Sequence, residues 1–190
     1  MLINFIGCPA SGKTTTAAML FSSLKETGIG CELSSEQARL YIARKKVQLK
    51  LSPNQFPTLT DKDQVKIMVQ QLEVDEALVT SCGCDVLVIS DSSPINSLLY
   101  MGTKTRTASE VQEYIRRSLK ITSATFLAAP IVRRNGVADP NRIHSQAQSD
   151  LVQQQIPALL SSLPPFKVID LCGSPAERLL AVQNYAFGLL

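Results

Sequence analysis

The sequence predicts an α/β fold built on a parallel sheet, and three observations support it. Short apolar runs alternate with long stretches of polar–apolar periodicity along the chain. The first run, Leu2 to Ile6, ends directly in a glycine-bearing turn, Gly7 to Thr14 (GCPASGKT), which opens a helical stretch. Another run, Val86 to Ser90, is apolar up to its last residue, as central strands buried on both faces are, and it ends in Asp91.

In chain order, the strand Leu2–Ile6 leads through the glycine turn into a helix from Lys13 to about Thr27, stopped by Gly28 and Gly30. A brief strand, Cys31–Leu33, runs through Ser34-Ser35-Glu36 into a helix ending about Leu49. Leu51 to Thr60, with Pro53, Phe56 and Pro57, reads as an ordered loop. Asp61 is expected to cap a long helix to about Ser81, with Gln64 as its capping-box partner. After the strand Val86–Ser90, helices are expected over Pro94–Met101 and from Thr107 to Leu119, with Glu110 closing a capping box on Thr107. A strand Ala124–Ala129 and a charged loop Pro130–Asn141 precede a helix from about His144 to Leu163. The last strand is Lys167–Leu171. Ser174-Pro175-Ala176-Glu177 then starts a final helix with a cap, a proline at the first position and an acid at the third.

Size and composition bound the organisation. A chain of 190 residues fits one compact domain over 1–190, and 45% hydrophobic content supplies its core. The net charge of +3 is mildly basic, compatible with a nucleotide or nucleic-acid partner without requiring one. No apolar run is long enough to cross a bilayer, and the start MLINFIG lacks a basic leader, so a cytoplasmic protein is expected. Cys8, Cys31, Cys82, Cys84 and Cys172 are irregularly spaced and have only His144 for company, which argues against a zinc site. They read as buried or half-buried thiols.

The spacing G-x-x-x-x-G-K-T is met by Gly7, Gly12, Lys13 and Thr14. The glycines let the backbone turn its N–H groups inward around phosphate oxygens, and the helix that follows presents its positive end to the same anion. Gly7, Ala10, Ser11, Gly12, Lys13, Thr14 and Thr15 are therefore the expected phosphate contacts. Lys13 is expected to reach the β- and γ-phosphates, and the Thr14 hydroxyl to hold magnesium. Such a site needs a carboxylate at a neighbouring strand end, and Asp91 supplies it, either holding the metal through water or taking an acceptor's proton. A cap for the helix near Pro94 is its plain alternative. No second acid at that strand end positions a hydrolytic water, which favours transfer to an organic hydroxyl.

Glu36 and Arg39 stand three residues apart on one helical face, in a place that would face the acceptor in a nucleotide-kinase arrangement. Glu36 can accept a hydroxyl proton, and Arg39 can bind an acceptor phosphate or fix the glutamate. The alternative is a first-turn acid paired with an exposed arginine. Arg44, Lys45, Lys46 and Lys50 extend the positive charge with no acid among them, either as a solvated helix face or as a surface for a polyanion such as DNA. Around 130–142 a lid-like loop carries Arg133, Arg134, Asp139 and Arg142. Arg142 is the preferred cation for the migrating phosphoryl group, oriented by Asp139. The small residues of Leu171-Cys172-Gly173-Ser174-Pro175 suit packing on an adenine.

Together with the loop, Glu36-Gln-Ala-Arg39-Leu-Tyr41, Asp91 and Val137-Ala138-Asp139-x-x-Arg142 give the chain a family likeness. It resembles the ribosylnicotinamide-kinase-like P-loop family, an AAA-labelled group of small kinases found in bacteria and phages, over most of its length. The resemblance implies a P-loop NTPase fold of the nucleotide-kinase type, a five-stranded parallel sheet with helices on both faces. It also implies transfer of the ATP γ-phosphate, with Mg2+, to a nucleoside-type hydroxyl. Two features depart from the family: Asp139-Pro140 stands where Asp-Gly is usual, and Asp91 is followed by Ser92 and Ser93 where relatives often have a second acid. Related phage enzymes of similar size and loop pattern phosphorylate hydroxymethyluracil within DNA, and the basic Arg39–Lys50 run fits that acceptor too. The expectation is a kinase of a bacterial or phage-infected cytosol; an ATPase or nucleotide switch driving a protein or DNA partner is the alternative.

Overall fold

The computed structural model describes residues 1–52, 54–130 and 146–189. Its elements are β1 (Leu2–Ile6), α1 (Lys13–Glu26), β2 (Cys31–Ser34), α2 (Gln37–Gln48), α3 (Asp61–Cys82), β3 (Leu87–Ser90) and a 3-10 helix (Pro94–Tyr100). They continue with α4 (Thr103–Arg106), α5 (Ser109–Ile121), β4 (Thr122–Ala128), α6 (Gln146–Ser161), β5 (Val168–Leu171) and α7 (Pro175–Phe187). The strands form one all-parallel sheet in the order β2-β3-β1-β4-β5. This is the P-loop NTPase arrangement expected from the sequence. β1 takes the central place and β3 lies between it and β2; both strands are buried at every residue.

Alternate residues of the strands feed two cores. Ile3, Phe5, Leu87, Ile89 and Phe126 pack with Leu20 and Leu24 of α1 and Val182 and Ala186 of α7. On the opposite face Ile6 meets Met68 of α3, Ile95 and Leu98 of the 3-10 helix, Ile115 of α5 and Ile156 of α6. Covering both faces of a parallel sheet in this way leaves its carboxyl edge, where the loops after β1, β2 and β3 converge, as the place for a ligand.

Several local expectations are corrected. α3 is capped by Thr60, whose hydroxyl accepts from the Asp63 N–H while Asp63 reaches back to the Thr60 N–H. Asp61 is drawn away instead, accepting from the Gly102 N–H and the Thr105 hydroxyl. α5 begins at Ser109, because Thr107 ends the extra helix α4 and donates to the Thr103 carbonyl, while Glu110 is taken by the Tyr114 hydroxyl. Cys8 and Cys31 are buried as expected, but Cys84 and Cys172 are exposed, and all five thiols are free. Among the described residues, no helix is long and apolar enough to cross a membrane.

Candidate active site

β1 delivers the chain into the loop Gly7–Gly12 beside the end of β4. A Cβ on Gly7 would lie 2.7 Å from the Ala128 carbonyl oxygen, so only glycine fits there. Ala10 takes a left-handed conformation at φ 72°, strain of the kind retained at ligand sites. Gly12 caps α1 in the same left-handed region. Other elements hold the loop by its backbone. The Gly7 N–H donates to Asn96 Oδ1 (3.4 Å), the Cys8 N–H to Gln153 Oε1 (3.4 Å) and the Ser11 N–H to the Cys8 carbonyl (3.3 Å). Asn96 is itself fixed, donating to the Phe5 carbonyl and to Ser92 Oγ. Of the contacts expected from the sequence, the N–H groups of Gly7 and Ser11 are thus spent inside the protein. Those of Ala10, Gly12, Lys13, Thr14 and Thr15 have no protein partner among the described residues. Four of these lie at or just ahead of the first turn of α1, where the helix end favours an anion.

Lys13 Nζ donates across the loop to the carbonyls of Gly7 (2.9 Å) and Cys8 (2.9 Å). Burial pushes its pKa down, against the opposing pull of Glu36, Cys8 and Asp91. Asp91 lies beneath and is only 5% exposed. Burial and then the like charge of Glu36 push its carboxyl up to about 6, although Thr14, Arg39 and Lys13 work in the other direction. Asp91 does not cap the 3-10 helix; Ser93 does, accepting from the Ile95 N–H. Oxygen Oδ1 of Asp91 is buried with no hydrogen-bond partner among the described residues. An orphaned carboxylate oxygen beside the Thr14 hydroxyl is the hard-oxygen donor set that suits magnesium shared with phosphates.

Across from the loop, β2 ends at Ser34 and Glu36 is the residue before α2. Arg39 Nε donates to Glu36 Oε2 (2.8 Å), and Arg39 Nη2 reaches toward Thr14 Oγ1 (3.5 Å). Lys13, Thr14, Glu36, Arg39 and Asp91 are therefore brought to one place. Glu36 and Arg39 line a cavity of about 740 Å³ that begins at Ala10 and Gly12–Thr15 of the phosphate loop and is walled on the far side by Ile42, Phe56, Pro57, Leu59, Ile67 and Tyr100. The Lys46 ammonium lies 4.4 Å from the Phe56 ring centroid at this wall. The basic run of α2 is less uniform than its sequence implied, since Lys45 pairs with Asp63 (2.6 Å) and Tyr41 donates to the same carboxylate. Tyr41 is thereby committed to α3, which leaves Phe56 and Tyr100 as the flat surfaces of the cavity. The lid residues Arg133, Arg134, Asp139 and Arg142 lie outside the described residues.

Behind both carboxylates is a buried network that the sequence reading missed. Gln71 Oε1 accepts from the Gln37 N–H at the start of α2 (2.9 Å), while its amide donates to Ser34, Asp75 and Ser90. Asp75, fully buried, also accepts from Ser34 Oγ (2.6 Å) and Ser90 Oγ (3.2 Å). Burial raises its carboxyl to about 6 in spite of those bonds, helped by the charge of Asp91. A further acid behind Asp91 and Glu36 thus comes from α3 and not from β3. Its signal was legible: Gln71 and Asp75 fall on the buried stripe Gln64, Ile67, Met68, Gln71, Leu72, Asp75, where polar residues have no place without partners.

Comparison with known proteins follows the same lines. The profile of a family described as an AAA domain matches residues 2–178. The chain belongs to that family. No curated protein matches its sequence. Solved structures share the fold at low identity. The NadR protein in complex with NR superposes with a TM-score of 0.62 at 15% identity, covering 99% of this chain and 51% of that one. NadR with NAD and AMP-PNP gives 0.61 at 17% identity, covering 97% and 49%. Thymidylate kinase from Candida albicans gives 0.56 at 16%, covering 98% and 91%. This chain therefore spans about half the length of the NadR chains it matches.

Proposed function

We propose that this AAA-family protein is an ATP- and magnesium-dependent kinase that transfers the γ-phosphate to a hydroxyl of a nucleoside-type acceptor. The observation that carries the reading is the pairing of a phosphate loop with a walled cavity that has a carboxylate at its edge. A hydrolase needs only a water site, whereas this cavity of about 740 Å³ runs from the phosphate loop on to Ile42, Phe56 and Tyr100, whose walls suit a flat organic acceptor beyond the phosphates. That NadR has been determined with NR and with AMP-PNP, and that thymidylate kinase shares the fold, support it further.

In this reading the open N–H groups of Ala10 and Gly12–Thr15 bind the phosphates, and Lys13 exchanges its loop carbonyls for the β- and γ-oxygens. Thr14 and Asp91 hold magnesium, which neutralises charge on the phosphates when bound. Glu36 lines the cavity while Asp91 does not, so Glu36 accepts the acceptor's hydroxyl proton and Asp91 stays with the metal. Arg39 fixes Glu36, and Arg142 supplies a cation to the migrating group.

One observation favours a polymeric version of the acceptor, a hydroxymethylated pyrimidine in DNA. Arg39, Arg44 and Lys50 are exposed along and just beyond α2, whose inner face forms the cavity wall, where flanking phosphates would run. Transfer of radiolabelled γ-phosphate, screened over nucleosides, nucleotides and hydroxymethylated DNA, tests both versions. Label on an acceptor, with slow ATP loss in its absence, is the expected result. ATP hydrolysis stimulated by DNA without labelled DNA would overturn the kinase in favour of an ATPase.

A further inference from the structure

Among the described residues Arg178, in the first turns of α7, is the bulkiest side chain buried almost completely, at 2% exposure. Its guanidinium donates to three backbone carbonyls: Nη1 to Ser11 (2.6 Å), Nη2 to Ala129 (2.9 Å) and Nε to Gly173 (3.0 Å). Among the described residues no carboxylate forms an ion pair with it. The three carbonyls come from three different places at the carboxyl edge of the sheet: the phosphate loop, the end of β4 and the loop between β5 and α7. A planar five-donor fork can span them, and a lysine cannot.

A neutral donor could join such carbonyls without the cost of desolvating a charge. A fixed cation under the phosphate loop makes physical sense where the ligand brings the counter-charge. The sheet order supplies the rest. The acceptor cavity lies on the β2–β3 side of the loop, and in-line transfer sets donor and acceptor on opposite sides of the migrating group. The nucleoside of the donor is thereby directed toward β4 and β5, where Gly173 turns. Gly173 has φ +88°, and a Cβ there would come within 2.6 Å of Glu177 Oε2, which closes the cap of α7 on Ser174. The turn has one shape, and Arg178 ties that shape to Ser11.

We propose that Arg178 is a positioning residue that locks the β5–α7 loop to the phosphate loop, so that the base and the triphosphate of the donor nucleotide bind as one unit. The proposal rests on the nucleotide-donor reading above. It is tested by calorimetric titration of Mg·ATP and of magnesium tripolyphosphate, which lacks a base, into the unaltered protein, Arg178→Lys and Gly173→Ala. Arg178→Lys keeps the charge but loses the fork. It is expected to weaken Mg·ATP at least tenfold and tripolyphosphate less than threefold, and Gly173→Ala is expected to narrow the same ratio from the other end of the link. Equal weakening of the two ligands in Arg178→Lys, or none, overturns the proposal. If Arg178→Lys does not fold, an unchanged ratio in Gly173→Ala overturns it. Failure of the unaltered protein to bind Mg·ATP overturns the donor reading itself, a result distinct from binding with an unchanged ratio.

Discussion

On the phosphate-loop side of the site, the donor side in the proposed reading, backbone groups carry the geometry and side chains from other elements lock them; on the α2 side, the acceptor side in that reading, side chains carry the geometry and little locks the helix that bears them. Asn96, Gln153 and Arg178 reach the phosphate loop from the 3-10 helix, α6 and α7, each on a main-chain atom. By contrast α2 buries none of its residues, and Val47 is 79% exposed. It is held to α3 by polar links, Gln71 on the Gln37 N–H and Tyr41 and Lys45 on Asp63. Burial would raise the Asp63 carboxyl, but Lys45, Tyr41 and Thr60 together hold it well below the usual carboxylate range.

The comparison can be broken first at its donor end. Lys13→Ala removes the one cation within the loop, and γ-phosphate transfer should fall about a hundredfold or more, with the melting temperature little changed. Transfer that survived this change in a labelled-ATP assay would remove the loop from the chemistry. A smaller effect is expected from pH. With Asp91 at about 6 in the free protein, its carboxylate is protonated below that value, so metal holding and kcat/KM for Mg·ATP are lost as pH falls. Between pH 5 and pH 7 kcat/KM should rise roughly tenfold for this single ionisation, and Asp91→Asn should abolish that limb along with most of the activity. A flat profile would assign the metal elsewhere. The mildest change sharpens the acceptor side. Gln71→Leu cuts the tie between α3 and the start of α2, and kcat should fall several-fold while the KM for ATP stays within about threefold. An equal rise in the KM for ATP would mean that the two halves are not separately held.

Much of this was legible from short-range patterns. The phosphate loop declares itself by spacing, the buried strands by continuous apolar runs, and the start of α7 by Ser174, Pro175 and Glu177, whose capping box forms as expected. Capping failed as a guide at α3 because Asp61 had a better partner 41 residues away in Gly102, leaving Thr60 and Asp63 to close the box. Arg178 was invisible for a related reason. An arginine in an amphipathic helix reads as solvated, and only the convergence of three chain segments supplies the carbonyls that make its burial possible.

What the sequence determined alone is what local covalent geometry and periodicity determine: a left-handed glycine turn before a helix, apolar strands, and an acid at the end of β3. The tertiary structure decided which of two carboxylates faces the cavity, which loop N–H groups remain open, and where the further acid comes from. The reason is the range of the forces involved. A glycine's φ or a strand's alternation is settled within a few residues. The partners of Asp75, Gln71 and Arg178 lie up to 167 residues along the chain, and hydrogen bonds of that reach exist only once the sheet has brought them together.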